Sequence, residues 1–157
     1  MQLPTLPLLF SFSQILLGNG FVAGVRVCGR ALLEHEDEAV WISGVKPVGF
    51  AGGGNDRAAA FIDFRKNWAA VLFDIAADSA SFAEFEAQCS SFLAASEEHL
   101  TSDWVQAVSE VRRTKYRDPS LPSQDAYSKQ PWFKIDELTQ HYSADKNDVE
   151  AGLLAAA

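Results

Sequence analysis

The stretch "GVKPVGFAGGGNDRAAAFIDFRKNW" (residues 44–68) leads from an expected strand into an expected helix. Three adjacent glycines lie between them: Gly52, Gly53 and Gly54. Glycines at such a junction can hold phosphate groups, but a Walker loop needs Lys and then Ser or Thr, and here Asn55 and Asp56 follow. A dinucleotide fingerprint needs a third glycine where this chain has Arg57. We therefore expect no nucleotide cofactor, and we interpret the glycines as a tight structural turn with positive φ.

Other catalytic groups are sparse. The three histidines lie in polar segments without metal-ligand spacing: His35, His99 and His141. No G-x-S-x-G motif occurs. Cys28 and Cys89 lie far apart and form no C-x-x-C pair, which argues against a zinc site or a disulfide framework and suits a reducing cytoplasm. We expect a cytoplasmic protein that is not an enzyme and that holds no metal or cofactor.

Residues suited to binding a partner are easier to find. Trp41 alternates with Val40 and Ile42, so an exposed Trp41 would be a natural hot spot, whereas the alternative is a tryptophan buried beneath a helix. We assign Phe50 to the same partner surface. The run "RRTKYR" could contact nucleic acid or an acidic partner, or it could only favour a helix dipole. Its candidate residues are Arg112, Arg113, Lys115, Tyr116 and Arg117.

The strands that would position these residues form a short antiparallel series. The alternating "FVAGVRVCG" from Phe21 predicts a strand with one buried face, and the polar run at 34–38 predicts a turn. A second strand is predicted at 39–45. Pro47 interrupts the ladder, so a short third strand should follow at 48–51.

Helices are expected after the sheet. The first should span about 56–76, with Asn55 or Asp56 as its N-cap. Ser81 and Glu84 form the S-x-x-E capping box of a second helix.

A third helix is expected to begin near Ser102 or Asp103 and to end in the basic run. The turn-rich residues 118–131 are interpreted as a linker. After them "WFKID" could add one short strand, and an acidic tail follows.

This order of elements resembles the N-terminal domain of HicB-type antitoxins, over about residues 21–76. The matching text is "AVWISGVKPVGFAGGGNDRAAAFIDF". The resemblance implies an α+β fold, partly like ribonuclease H, in which helices cover a small three-stranded antiparallel sheet. Lys46 stands where the family often has an acidic residue, and we find no DNA-binding element of the family's kind. Metal-dependent hydrolysis would need carboxylates at strand ends, but the acidic residues at 34–38 cluster in one turn.

Charge indicates what kind of partner the chain would bind. The net charge of −8 argues against nucleic acid as a ligand of the core and favours a small basic protein. The resemblance implies a HicA-type ribonuclease toxin, which the chain would neutralise by protein–protein contact. Unpaired sheet edges favour a homodimer, unless "WFKID" occupies the edge within one chain. The alternative function is a small α+β ligand-binding domain or enzyme, with Trp41 and Trp68 lining a pocket between sheet and helices.

The expected domain limits follow from these assignments. Residues 1–20 are interpreted as an apolar leader of poor order or an added segment, with a signal peptide as the alternative, and no membrane span is expected. Residues 21–117 would form the HicB-like α+β domain with its added helices. Residues 118–157 would form the linker and the acidic tail.

Overall fold

A computed structural model of the chain describes residues 3–116, 118–119 and 121–139. Arg117, His141 and the acidic tail from residue 140 onward lie outside these residues. The secondary-structure elements follow one another as β1 (Leu6–Leu17), β2 (Val22–Glu36), β3 (Ala39–Lys46), β4 (Ala51–Gly54), α1 (Arg57–Asp78), α2 (Phe82–Ala94), α3 (Glu98–Thr114), a 3₁₀ turn (Gln124–Ser128) and β5 (Trp132–Leu138). The expected α+β class is confirmed.

Within the described residues the antiparallel sheet has five strands, so the prediction of three was wrong. The long strand β2 is central: β1 pairs with it along one edge, from Val22 to Leu33. Two strands share its other edge, because β5 pairs with Val22–Cys28 and β3 pairs with Arg30–Glu36. The pairing of "WFKID" with the edge of this strand is thus confirmed, and the edge on which we based the expected dimer is occupied within the chain.

Strand β1 overturns the interpretation of residues 1–20 as a leader. Its side chains alternate, so that Phe10, Phe12 and Leu16 face the core and Ser11 and Ser13 face away. The buried members are at most 6% exposed. This stretch is therefore part of the sheet, and the core could not close without it.

Helices cover both faces of the sheet. On one face α1 and α2 pack over the main core through Phe64, Trp68, Leu72, Phe85 and Leu93. On the other face α3 packs Trp104, Ala107 and Val108 against Leu32 and Val45. In the described part of the chain no helix is long and apolar enough to cross a membrane.

Residues 118–131 are not a simple linker. Tyr127, in the 3₁₀ turn, is buried in the smaller core with Trp104, and its hydroxyl donates to the carbonyl of Pro7 at 3.0 Å. Burial raises the pKa of Tyr127 to about 12, so this hydroxyl keeps its proton. The segment after α3 is therefore tied to the start of β1.

The glycine cluster is a strand and not a turn, which corrects our interpretation of Gly52, Gly53 and Gly54. They pair with β3 as β4, and the positive-φ glycines of the described chain are Gly20 and Gly49. The reason for glycine is close approach. A Cβ on Gly52 would overlap the backbone nitrogen of Phe64 in α1, and one on Gly53 would lie 2.5 Å from the ring of Trp41.

The helix caps agree with the sequence in most respects. Asp56, rather than Asn55, is the N-cap of α1, and its carboxylate accepts from the Ala59 N–H at 2.8 Å. Ser81 caps α2 by accepting from the Glu84 N–H at 3.2 Å. The Glu84 carboxylate accepts from the Ala80 N–H, one residue before the cap, and not from the Ser81 N–H that a capping box would use.

Asp56→Ala should lower the free energy of unfolding by about 1 kcal/mol, because the Ala59 N–H in the first turn of α1 then loses its acceptor. Asn55→Ala is the matched control, since Asn55 is exposed and makes no capping contact in the described structure. Urea unfolding of the two variants checks this. Equal losses in both would contradict the assignment of Asp56 as the cap.

Candidate functional site

Trp41 is an exposed aromatic residue on the face of the sheet away from α1. Its neighbours Val40 and Ile42 enter the main core, so alternation along β3 turns Trp41 outward, where 45% of it is exposed. The indole lies against Gly53, whose missing side chain leaves room for the ring. Of the two alternatives, burial beneath a helix is therefore wrong and an exposed tryptophan is confirmed.

An open groove is lined by Glu34, the neighbour of Trp41 across the sheet, although not by Trp41 itself. Glu34 is the direct cross-strand partner of Trp41, so both side chains leave the sheet on the same face. The groove, called here the acidic groove, has a volume of about 390 Å³. It is lined by Pro4, Thr5, Leu32, Glu34, Asp103, Gln106, Ala107 and Glu110.

Three acidic side chains line the acidic groove. Glu34 and Asp103 are exposed and make no ion pair within the described residues. Glu110 is paired with Arg113 at 2.7 Å, and this hydrogen bond lowers the pKa of Glu110. Of these three carboxylates, only that of Glu110 has a cation beside it among the described residues. The arrangement suits a cationic ligand.

Phe50 is not available to a partner, so its assignment to the surface was wrong. It is 8% exposed and stacks on Phe64 with ring centroids 4.6 Å apart. Its ring also meets Phe10 and Phe92. Phe50 holds α1 and α2 to the sheet because β3 ends before it and the chain turns inward.

The basic run at the end of α3 is largely engaged within the chain. Arg112 donates to the side chain and the carbonyl of Gln124, at 2.9 and 3.2 Å, and so fixes the 3₁₀ turn. Arg113 pairs with Glu110. Lys115 is the exposed left-handed C-cap, and the Tyr116 hydroxyl reaches Asp118 at 3.5 Å. These contacts do not gather the described part of the run into one binding surface.

The described histidines and cysteines, which exclude His141, do not form a reactive cluster. His99 is exposed and lies 3.5 Å from Glu97, while His35 is half-buried. Burial raises the pKa of the Cys89 thiol to about 12, so this thiol stays protonated, and Cys28 is half-buried. Among the described residues no group of three or more His, Cys, Asp or Glu could hold a metal ion.

A shared pocket lined by Trp41 and Trp68 is ruled out by geometry. Trp68 is fully buried between α1 and the sheet, where its ring lies 5.3 Å from that of Phe12. Trp41 lies on the opposite face. Aromatic side chains therefore occupy the space between the sheet and α1, where the sequence suggested a ligand pocket.

Sequence reasoning identified Trp41 but missed the acidic groove. Glu34 was interpreted as part of a solvated turn, and Asp103 only as the start of a helix. They approach each other because α3 crosses the sheet beside β2, and no local pattern shows that crossing. Comparison of the chain with known protein families, with curated proteins and with solved structures finds no match.

Proposed function

We propose that this protein is a binding module that captures a small basic protein at Trp41 and the acidic groove. In the more specific form of the proposal it is a HicB-like antitoxin, or a solitary relative, whose partner is a HicA-type toxin. The succession β2–β3–β4–α1 is compatible with the three strands and one helix that this resemblance implies. The observation that carries the proposal is an exposed Trp41 across the sheet from Glu34, which, like Asp103, has no cation beside it among the described residues.

The energetics of such a surface favour a basic partner. A tryptophan that becomes buried at an interface often contributes more than its neighbours, and lysine or arginine over its ring adds a cation–π contribution. The net charge of −8 would attract a basic protein and accelerate its association. Raising the salt concentration should therefore slow association more than it changes dissociation.

Co-expression with short basic proteins encoded beside its gene should yield a complex that co-purifies. Trp41→Ala should weaken that complex by about 30-fold, as expected for a hot-spot residue worth about 2 kcal/mol. Trp132→Ala is the matched control, because Trp132 is exposed to a similar extent, 49%, on a different part of the sheet. Surface plasmon resonance of the purified pair would measure both variants.

Two results would count against this function. One is an unchanged affinity of Trp41→Ala, provided that its thermal unfolding shows a folded protein. The other is an equal loss in Trp132→Ala, since this would place the interface elsewhere. If no basic partner co-purifies at all, the antitoxin form of the proposal fails as well.

A further inference from the structure

The two strands on one edge of β2 leave a gap in the sheet. β3 stops at Lys46, opposite Arg30, and β5 starts at Trp132, opposite Cys28, so Gly29 between them has no partner on that edge. Prolines stand at both sides of the gap, Pro47 and Pro131, and neither can donate a ladder hydrogen bond. We call this gap, with the residues around it, the sheet fork.

Cavities meet at the sheet fork. Three of them share Pro131, and their volumes are about 590, 290 and 180 Å³. The largest lies on the same face of the sheet as α3. It is lined by Leu9, Phe10, Ser11, Cys28, Gly29, Arg30, Ala126, Lys129, Gln130, Pro131 and Trp132. Its volume is within the range of about 300–1,000 Å³ that is usual for small-molecule sites.

The charges around the sheet fork contrast with the rest of the molecule. Arg30, Lys46 and Lys129 line the three cavities, and no carboxylate is among their described lining residues. The chain as a whole carries a net charge of −8. A local group of cations without counter-charges, in an acidic protein, favours an anionic ligand at this place.

Arg30 has a donor that the protein does not use. Its guanidinium lies over the Trp104 ring, 4.2 Å from the centroid, and Nη2 donates to the Lys129 carbonyl at 3.1 Å. Its Nε is buried and has no acceptor among the described residues. A buried donor without an acceptor is costly, and more so on a charged group. Nη1 also has no acceptor among the described residues, so a carboxylate that enters the cavity can accept from it, because guanidinium and carboxylate match in shape and charge.

The remaining walls are mostly apolar. Leu9, Ala126 and Pro131 line the largest cavity, and Trp132, half exposed, stands at its rim. We infer that the sheet fork binds a small amphipathic carboxylate, with its charged end at Arg30 and its apolar body in this cavity. This site lies apart from Trp41 and the acidic groove, and it does not depend on the function proposed above.

Titration of the full chain with octanoate, octanol and octylamine tests the inference. Calorimetry should show saturable one-to-one binding of octanoate, on the order of tenfold tighter than octanol, because only the acid accepts from Arg30. Octylamine should bind more weakly than either. Trp132 at the rim should report octanoate as a change in fluorescence.

Variants locate the site. Arg30→Gln should reduce octanoate affinity to that of octanol. Arg26→Gln is the matched control, since Arg26 lies on the same strand and face but is exposed and does not line these cavities, and it should change nothing. Because Arg30 also packs on Trp104, a second variant is needed in case Arg30→Gln does not fold. Ser11→Phe, at an exposed lining position, should fill the cavity and weaken both octanoate and octanol.

Several outcomes would overturn the inference. Equal affinities for octanoate and octanol would exclude the role of Arg30, as would an equal loss in Arg26→Gln. Full octanoate binding in folded Ser11→Phe would place the ligand elsewhere. Binding that does not saturate would show that there is no site.

Discussion

A chain that begins at Gly18 should fail to fold. It lacks β1, and with it the buried side chains of Leu6, Phe10, Phe12 and Leu16, each at most 6% exposed. Burial of four such side chains is worth on the order of 8 kcal/mol, which is comparable with the whole stability of an ordinary domain. The truncated chain would also leave one edge of β2 unpaired along its length.

Circular dichroism and thermal unfolding would measure this effect. We expect the truncated chain to show no cooperative transition. A control chain that begins at Pro4 loses, of the described residues, only Leu3, which is 53% exposed, so it should unfold like the full chain. Cooperative unfolding of the shorter chain near the original temperature would mean that β1 is dispensable, as expected of a leader.

Trp68→Ala should destabilise the protein by about 3–5 kcal/mol, because it leaves a large cavity at a fully buried position. Trp68→Phe should cost clearly less. The indole Nε1 is buried without a hydrogen-bond partner in the described structure, so phenylalanine keeps a ring in the core and removes an unsatisfied donor. The two variants therefore separate loss of packing from loss of a polar group.

Guanidinium chloride unfolding would measure both variants, and Phe61→Ala provides a comparison on the same helix. Phe61 is 40% exposed, so its truncation should cost about 1 kcal/mol or less. A loss in Trp68→Phe as large as that in Trp68→Ala would mean that Nε1 has an acceptor after all, such as a buried water.

The sequence predicted the helices better than the sheet, for a physical reason. Apolar residues at spacings of three and four identified α1 and α2, and Asp56 and Ser81 marked where they begin. Strand β1 was missed because its high apolar content suggested a leader. The alternation in "FSFSQ" (residues 10–14) was the signal that could have found it.

Other features depend on distant contacts. Glycine has a low propensity for β-strands. β4 forms at these glycines because Gly52 has no side chain and so lets the backbone of α1 pack closely against the strand. Phe50 follows a break in the ladder, so its direction was set by the aromatic core and not by alternation. Trp41 was identified because β-strand periodicity is local, whereas the acidic groove and the sheet fork join residues from distant parts of the chain.

β3 and β5 pair with the same edge of β2, and this arrangement affects how the chain folds. β2 can pair with β1 and β3 through short connections, whereas β5 joins it only after a loop that contains three helices has closed. The entropic cost of closing a loop grows with its length. Pairing β5 with β2 therefore costs more conformational entropy than pairing β2 with β1 or β3. The sheet fork therefore exists only when both ends of the described chain are in place. A molecule bound there would stabilise the completed fold as a unit and not one hairpin of it.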